Sequence, residues 1–402
     1  MRSSGVMKEL DQVLNALRMG VIPGTSIDDF IVGRDQEKQE LETFMLSIEK
    51  GEGRVKFIRG AYGSGKTFLM KYLTEKALDQ GFIVANVPVH SGFGFSKLDG
   101  VYANIMNHLL IRTDQETGTN FEMLFEKWIE GLKSSGDARK ASQNIYNVIK
   151  ALSDYNSSFS SVLLIYIRAL IGRDYELSTI AAAWIKGDKN IDYQLKRRLN
   201  VKGSVDGENA LDILSGFVKL IHLLGYKGLI ITFDEAEIIM QQRVDTRLKA
   251  YGNIRQLMDS AGAGLLDHAG FVFAGTDDFF DDEDKGLRSY KALDQRIGSS
   301  MESPSSITNV RQPILQIQAL RDDDYEMLSN KLVELHAKRY TYEYAVNALH
   351  IANLAKLEAS KSEEGNTITV RIFLKKVLEL LDLMLDNPDL PIFNAIKVSN
   401  KG

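Results

Sequence analysis

Four side chains have the types and spacing to handle a phosphate ester: Lys66, Thr67, Asp234 and Glu235. The first two close the run Gly60-Ala61-Tyr62-Gly63-Ser64-Gly65-Lys66-Thr67, which fits G-x-x-x-x-G-K-[ST] at every position. Gly60, Gly63 and Gly65 permit a tight turn that aims backbone N–H groups at phosphate oxygens, and a following helix adds its positive dipole end. Lys66 is then placed to reach β- and γ-phosphates, and the Thr67 hydroxyl to ligate Mg²⁺. Asp234 and Glu235 end the apolar run Leu229-Ile230-Ile231-Thr232-Phe233, where acids sit at the carboxyl end of a buried parallel strand. Asp234 is the candidate Mg²⁺ ligand, directly or through water. Glu235 is the candidate base that orients and deprotonates an attacking water.

Other residues have roles with a plainer alternative beside them. Thr276 ends the apolar run 270–275 and is a candidate partner for the γ-phosphate or the water, or else a cap for the next turn. Val32-Gly33-Arg34 precedes a helix and is a candidate adenine contact through its backbone, or else a helix start capped by Asp35. Arg296, in Leu293-Asp294-Gln295-Arg296-Ile297, is a candidate arginine acting in trans on a neighbouring subunit. Arg288 competes with it, and an ordinary surface arginine is the alternative to both. Arg371 opens the last expected helix, as a phosphate contact or an ordinary first-turn arginine. Lys196-Arg197-Arg198 with Lys202 is an anion-binding patch or a solvated face. The acidic run 277–284 lacks the glycine and terminal glutamate of a calcium-binding loop and is expected to be an exposed loop.

Elements must position these groups. Apolar runs predict strands around 55–58, 82–87, 229–233, 270–275 and 314–320. Helical spacing predicts helices over 7–19, from 36, and over 66–80, 322–338, 343–358 and 369–385. Between 100 and 225, the segments 101–111, 121–133, 137–153, 159–170, 175–186 and 208–224 all carry helical spacing, and none alternates as a strand does. The expected fold is α/β: a P-loop NTPase parallel sheet with a large all-helical insertion and a C-terminal helical lid. Its expected parts are a lead-in (1–30), a core (31–99 and 226–318), the insertion (100–225), the lid (319–386) and a tail (387–402), with a Ser/Pro-rich linker over 299–309.

The chain of 402 residues is 44% hydrophobic and carries a net charge of −5, which argues against a surface coated in basic residues for bulk nucleic-acid binding. It has no cysteine, which excludes disulfides, thiolate zinc sites and cysteine nucleophiles. No apolar run reaches the length of a signal peptide or a membrane span, so a cytoplasmic chain without a membrane partner is expected.

With both phosphate-handling motifs, Thr276, the Leu293–Ile297 box and Arg371 in place, the chain resembles an ATPase of the AAA+ superfamily, nearest its origin-recognition and Cdc6-like branch. More closely, it resembles the bacterial ATP-binding proteins of BREX-type phage-defence systems, the BrxD-like, BrxC-related group. That likeness rests on Ala16-Leu17-Arg18-Met19-Gly20-Val21-Ile22-Pro23 ahead of Val32-Gly33-Arg34, on Gly63-Ser64-Gly65-Lys66-Thr67-Phe68-Leu69, and on Ala183-Trp184-Ile185-Lys186-Gly187-Asp188. The resemblance spans roughly residues 10–385. It implies that Val32, Gly33 and Arg34 and the stretch Gly60 to Phe68 hold ATP or ADP with Mg²⁺, and that the protein hydrolyses ATP within an antiviral module beside a helicase or methyltransferase. Origin-type proteins carry a winged helix after the lid, and this sequence has none there. DNA contact is therefore expected from the insertion, the core or a partner.

Three readings follow. The first is a Mg²⁺-dependent ATPase that assembles as a homo-oligomer through Arg296 and acts on DNA. The second is a slow nucleotide-gated switch or scaffold that recruits partners through the insertion. The third, a P-loop kinase, fits the second strand-end acid less well.

Overall fold

The computed structural model describes residues 2–23, 30–113, 117–119, 121–134, 136–298, 312–341, 348–362 and 369–387. The chain divides into two compact units. A sheet unit holds Gln39–Arg59 and Leu73–Gln316, and a terminal unit holds Met1–Lys38, Gly60–Tyr72 and Ile317–Gly402.

The sheet unit is built on seven strands: β1 (Arg54–Arg59), β2 (Ile83–Pro88), β3 (Leu109–Arg112), β4 (Thr117–Gly118), β5 (Leu229–Asp234), β6 (Ala269–Gly275) and β7 (Ile314–Gln316). Their order is β4-β3-β2-β5-β6-β1-β7. The five strands from β2 to β7 are parallel, while β3 runs antiparallel to β2 and β4 to β3. The central strands are covered on both faces, so they read as unbroken apolar runs. On one face Phe57, Phe273 and Phe233 stack in a row, with ring centroids 5.2 and 4.8 Å apart. Helix α2 (Asp35–Glu49) lies close over β6: a Cβ on Gly270 would come 2.3 Å from Ile48 and 2.8 Å from Phe44, so only glycine fits there. Lys56 on β1 is buried and donates to Glu40 and to the Gln312 carbonyl, both at 2.7 Å.

Helices α3 (Lys66–Asp79), α4 (Leu98–Asn107), α5 (Met123–Ser134), α6 (Ala138–Ser153), α7 (Ser157–Gly172), α8 (Tyr175–Ile185), α9 (Tyr193–Arg197) and α10 (Ala210–Leu223) follow in the chain, then α11 (Val244–Gly262), α12 (Asp277–Asp281) and α13 (Lys291–Ile297). Side chains of Asp137, Asn156, Asp174 and Asp192 accept backbone N–H groups at the starts of α6 to α9, which is why the helices begin there. Phe125, Tyr166, Trp184 and Phe217 from these helices share one continuous apolar core with Phe57, Phe233 and Phe273 of the sheet.

Two expectations are corrected. The segment 100–225 is not all helical. Helix α4 stops at Asn107, and Leu109 and Ile111 then alternate with half-buried neighbours to extend the sheet edge as β3, with β4 beyond it. The alternating run is four residues long and abuts a helical pattern, so its period of two is lost in a helix-length window. The acidic run 277–284 is not simply an exposed loop: it opens with α12, where Phe279 and Phe280 are buried. Arg59 at the end of β1 pairs with Asp277 at 2.8 Å and with Asp281.

The terminal unit holds α1 (Arg2–Arg18), α14 (Asp322–Tyr340), α15 (Ala348–Ser362) and α16 (Val370–Asp386) around Leu14, Leu17, Leu332, Ile351, Phe373 and Val377. Asp382 on α16 ties three helices together: Arg18 of α1 pairs with it at 2.7 Å, and buried His336 of α14 lies 3.0 Å from it. The expected linker 299–309, the break at Gly365-Asn366 and the tail beyond Asn387 lie outside the described residues. Among the described residues no helix is long and apolar enough to cross a membrane.

Candidate functional site

In the sheet unit, the parallel strands end together. Arg59 of β1 is in register with Gly275 of β6, and Pro88 of β2 with Asp234 of β5. Thr232 and Asp234 share one face of β5, because successive side chains alternate. That face carries a polar cluster which sequence reasoning missed: Asn86 Oδ1 accepts from Thr232 Oγ1 at 2.8 Å and from Thr74 Oγ1 of α3 at 3.0 Å. Asn86 is the single amide in an otherwise apolar strand, and that was the available signal. The cluster fixes the strand two residues before Asp234.

Asp234 is half-buried, and its carboxylate accepts the backbone N–H of Glu235 at 3.0 Å. Glu235 is exposed and adopts φ 57°, ψ 41°, the left-handed region, which costs a non-glycine residue about 1–2 kcal/mol. A 3₁₀ turn, Ala236–Gln241, follows at once and buries Ala236 and Ile239, so the chain must bend sharply there. Thr276 sits at the start of α12, and no side-chain cap bond is formed there; a Cβ on the preceding Gly275 would meet Phe279 at 2.5 Å. Arg296, on α13, donates to both carboxylate oxygens of Asp259, at 2.5 and 3.1 Å, and its side chain is about a third exposed. Arg288 pairs with Asp281 at 3.2 Å.

In the terminal unit, the chain leaves β1 at Arg59 and enters the glycine-rich loop. Gly63 and Gly65 take φ of 76° and 99°, as glycine alone does readily. A Cβ on Gly60 would meet the Ser64 hydroxyl at 2.6 Å, and one on Gly63 would meet Thr369 at 2.4 Å, so the loop is wrapped as tightly as a side-chain-free backbone allows. Lys66 is buried and donates to the carbonyls of Gly60 and Ala61 at 2.8 and 2.9 Å. The Ser64 hydroxyl is buried without a hydrogen-bond partner. A tight glycine cradle, a stored ammonium and an orphaned hydroxyl are a donor set suited to a polyphosphate. Ala61, Tyr62 and Thr67 are exposed, and Phe68 packs on the apolar core of the unit.

The Val32-Gly33-Arg34 turn is built around the arginine. Arg34 is buried and donates to the Ser64 carbonyl at 2.9 Å, to the Gln318 carbonyl and to Glu37 at 3.2 Å. Gly33 has φ 66° and lies against the Asp324 carboxylate of α14, 2.4 Å from where a Cβ would be. Arg34 therefore holds the glycine-rich loop to the segment that leads into α14. Thr369 caps α16 by accepting the Ile372 N–H. Arg371 is exposed, and its stem runs past Gly20. The terminal unit thus gathers the turn, the loop and the start of α16, while the sheet unit gathers Asp234, Glu235 and Thr276 along its strand ends.

Comparison with known proteins gives a family. The Walker-type ATPase Paby2304 of Pyrococcus abyssi matches in structure at 9% identity, over 91% of this chain and 71% of that one, with a TM-score of 0.39. The ORC2 protein of Aeropyrum pernix, solved as ADPNP–ADP complexes, matches at 12% identity over 92% and 68%, with a TM-score of 0.43. The Aeropyrum pernix ORC1 protein in complex with DNA matches at 11% over 94% and 72%, with a TM-score of 0.31. No curated protein matches the chain. The family model described as BREX system ATP-binding protein BrxC/D matches residues 6–400. A glycine cradle around a buried lysine in one unit and a mostly parallel α/β sheet in the other accord with that match, and the chain belongs to the BrxC/D family of BREX system ATP-binding proteins.

Proposed function

We propose that this chain is a Mg²⁺-dependent ATP hydrolase of a BREX-type antiphage system, which works as a multimer and couples hydrolysis to DNA or to a DNA-acting partner. The observation that carries the reading is Glu235: an exposed acid, held in a left-handed conformation, directly after a strand-end aspartate. A group whose task is only to close a strand gains nothing from that conformation, whereas a base that must face a water does.

In this reading the glycine-rich loop binds the triphosphate through its N–H groups, and Lys66 exchanges the Gly60 and Ala61 carbonyls for phosphate oxygens. Thr67 and Asp234 offer hydroxyl and carboxylate oxygens only, the ligands that Mg²⁺ prefers. The ion, when bound, neutralises charge on the phosphates. Glu235 takes a proton from the water, and Thr276 holds that water or a γ-phosphate oxygen. Arg371 neutralises phosphate charge in the same chain, and Arg296 does so in a neighbouring subunit after leaving Asp259. Val32, Gly33 and Arg34 shape the adenine side.

The test is steady-state ATP hydrolysis with Mg²⁺ for wild type, Lys66→Ala and Glu235→Gln, with and without DNA. The expected result is turnover by wild type only, tight nucleotide binding by Glu235→Gln, and loss of binding by Lys66→Ala. Unchanged turnover in Glu235→Gln would remove Glu235 from the chemistry. ATP binding without turnover under any condition would favour a nucleotide-gated switch. An Arg296→Ala protein with undiminished activity would remove the trans role, whose loss costs on the order of a thousandfold in rate.

A further inference from the structure

We propose that one end of the helical segment, where α6 starts, α7 ends and α8 starts, is a contact surface for single-stranded nucleic acid. It rests on the DNA-coupled reading above and names the surface that reading lacks.

Helices α6 and α7 are 16 residues each, joined by three residues and packed along their length, so they run antiparallel with matched ends. Two residues then join α7 to α8, which also pack along their length. The starts of α6 and α8 and the end of α7 therefore meet at one end of the array. Short α9 is brought to the same place, because Arg198 pairs with Glu176 at 2.5 Å and with Asp174 at 3.5 Å.

The side chains gathered there are of two kinds. Arg139, Arg168, Arg173 and Arg197 are all exposed, and among the described residues none is held in an ion pair. Beside them Tyr175 is 68% and Tyr193 74% exposed, with Ile171 at 44%. Of the acids at the corner, Asp174 and Glu176 are engaged by Arg198 and Asp137 lies 4.0 Å from Lys140, which leaves Asp192, the cap of α9, against four free arginines. The wider stretch 139–202 carries eleven lysines and arginines against five acids, a surplus of six within a chain whose net charge is −5. Charge of this sign, set apart from the rest of the chain, selects a polyanion.

The exposed rings decide which polyanion. Duplex DNA offers its phosphates but keeps its bases stacked, and rings at the protein surface add nothing to that contact. A single strand offers both phosphates for arginine and unstacked bases for Tyr175 and Tyr193. Four of the unpaired cations here are arginines, whose planar guanidinium also stacks on base planes.

The experiment is fluorescence anisotropy of the full chain with labelled oligothymidylate, oligouridylate and a duplex of equal length, at two salt concentrations. Wild type is compared with Tyr175→Ala/Tyr193→Ala and Arg173→Glu/Arg197→Glu, each checked for an unchanged melting temperature and unchanged nucleotide binding. Wild type should bind both single strands more tightly than duplex. The tyrosine pair should weaken binding by about five- to a hundredfold. The arginine pair should flatten the plot of log affinity against log salt by roughly 0.7 for each phosphate no longer neutralised. Equal thymidylate and uridylate binding supports base and phosphate recognition, and so does a preference for one sugar that both double variants abolish. Tighter duplex binding overturns the proposal. If both double variants bind oligothymidylate as wild type does, and DNA still alters their ATP turnover, this surface is wrong while DNA coupling stands. If wild type binds no single strand, the surface is overturned, and the Lys66→Ala and Glu235→Gln comparison still judges the enzymatic reading.

Discussion

Replacing Arg34 by alanine should separate two jobs that one side chain performs, pairing with buried Glu37 and holding the glycine-rich loop. Arg34 is buried and makes three charge-assisted hydrogen bonds: to the carbonyls of Ser64 and Gln318, and to buried Glu37. A hydrogen bond to a charged group contributes about 1.5–3 kcal/mol, and stripping the cation from a buried ion pair costs about 3–5 kcal/mol in all. For a unit of this size that is roughly a 10 °C fall in Tm. The glycine-rich loop loses its hold at Ser64, so nucleotide affinity should fall on the order of tenfold, about 1.4 kcal/mol. Arg34→Lys keeps the charge but presents one ammonium where a planar fork reaches three acceptors, so it should recover only part of both losses. The decisive variant is Arg34→Ala/Glu37→Ala, which removes the orphaned carboxylate. Most of the stability should return while nucleotide binding stays weak, because nothing grips the Ser64 carbonyl. Thermal unfolding and titration with a fluorescent ATP analogue measure the two quantities on the same sample. A double variant that regains affinity along with stability would refute the idea that Arg34 positions the loop. An Arg34→Ala protein that melts like wild type would refute the ion-pair reasoning beneath it.

Other substitutions test other parts of the molecule. Gly63→Ala places a Cβ at φ 76° and 2.4 Å from the Thr369 methyl, so it should impair nucleotide binding in a titration, and Thr369→Ser should restore part of it by removing that methyl. Burial alone would raise the Asp382 carboxyl, but hydrogen bonds from His336 and Arg18 outweigh it and hold the group at about 2, below its ordinary 3.8. The folded value is the lower one, so this stabilisation is complete above about pH 4 and is lost as pH falls toward 2. Partial exposure screens it to on the order of 1 kcal/mol, and Asp382→Asn should remove that part of the acid slope in urea unfolding. Lys56→Ala removes the cation paired with buried Glu40 and should cost about 3–5 kcal/mol, whereas Lys56→Met with Glu40→Leu should recover most of it in the same assay.

Much of this protein is legible along the chain. The pattern from Gly60 to Thr67 specifies backbone that needs glycine and a lysine that the loop can fold around, and both are properties of single residues. Leu69, Tyr72, Leu73 and Ala77 announce a helix because about 3.6 residues make a turn, and they are buried as that spacing demands. The apolar run before Asp234 is long enough to read as a strand buried on both faces. Shorter runs fail: β3 offers two inward residues after a helix, too few to outvote the helical period beside it.

Partners distant in sequence were fixed only by tertiary structure. Nothing near Arg34 says that it will grip Ser64 and Gln318, 30 and 284 positions away. Nor does Asp382 carry any mark of Arg18 or His336. A buried charge must be paired, so the sequence demands a partner, but the packing of helices decides which one. The same holds for the arginines and tyrosines around α7 and α8. Singly they read as solvated surface, and the antiparallel turn of three helices is what sets them side by side. Sequence alone marked the glycine-rich loop and the period of the elements, because both reside in neighbouring residues. Tertiary structure decided strand order, buried pairs and surface clusters, because these depend on which faces exclude water together.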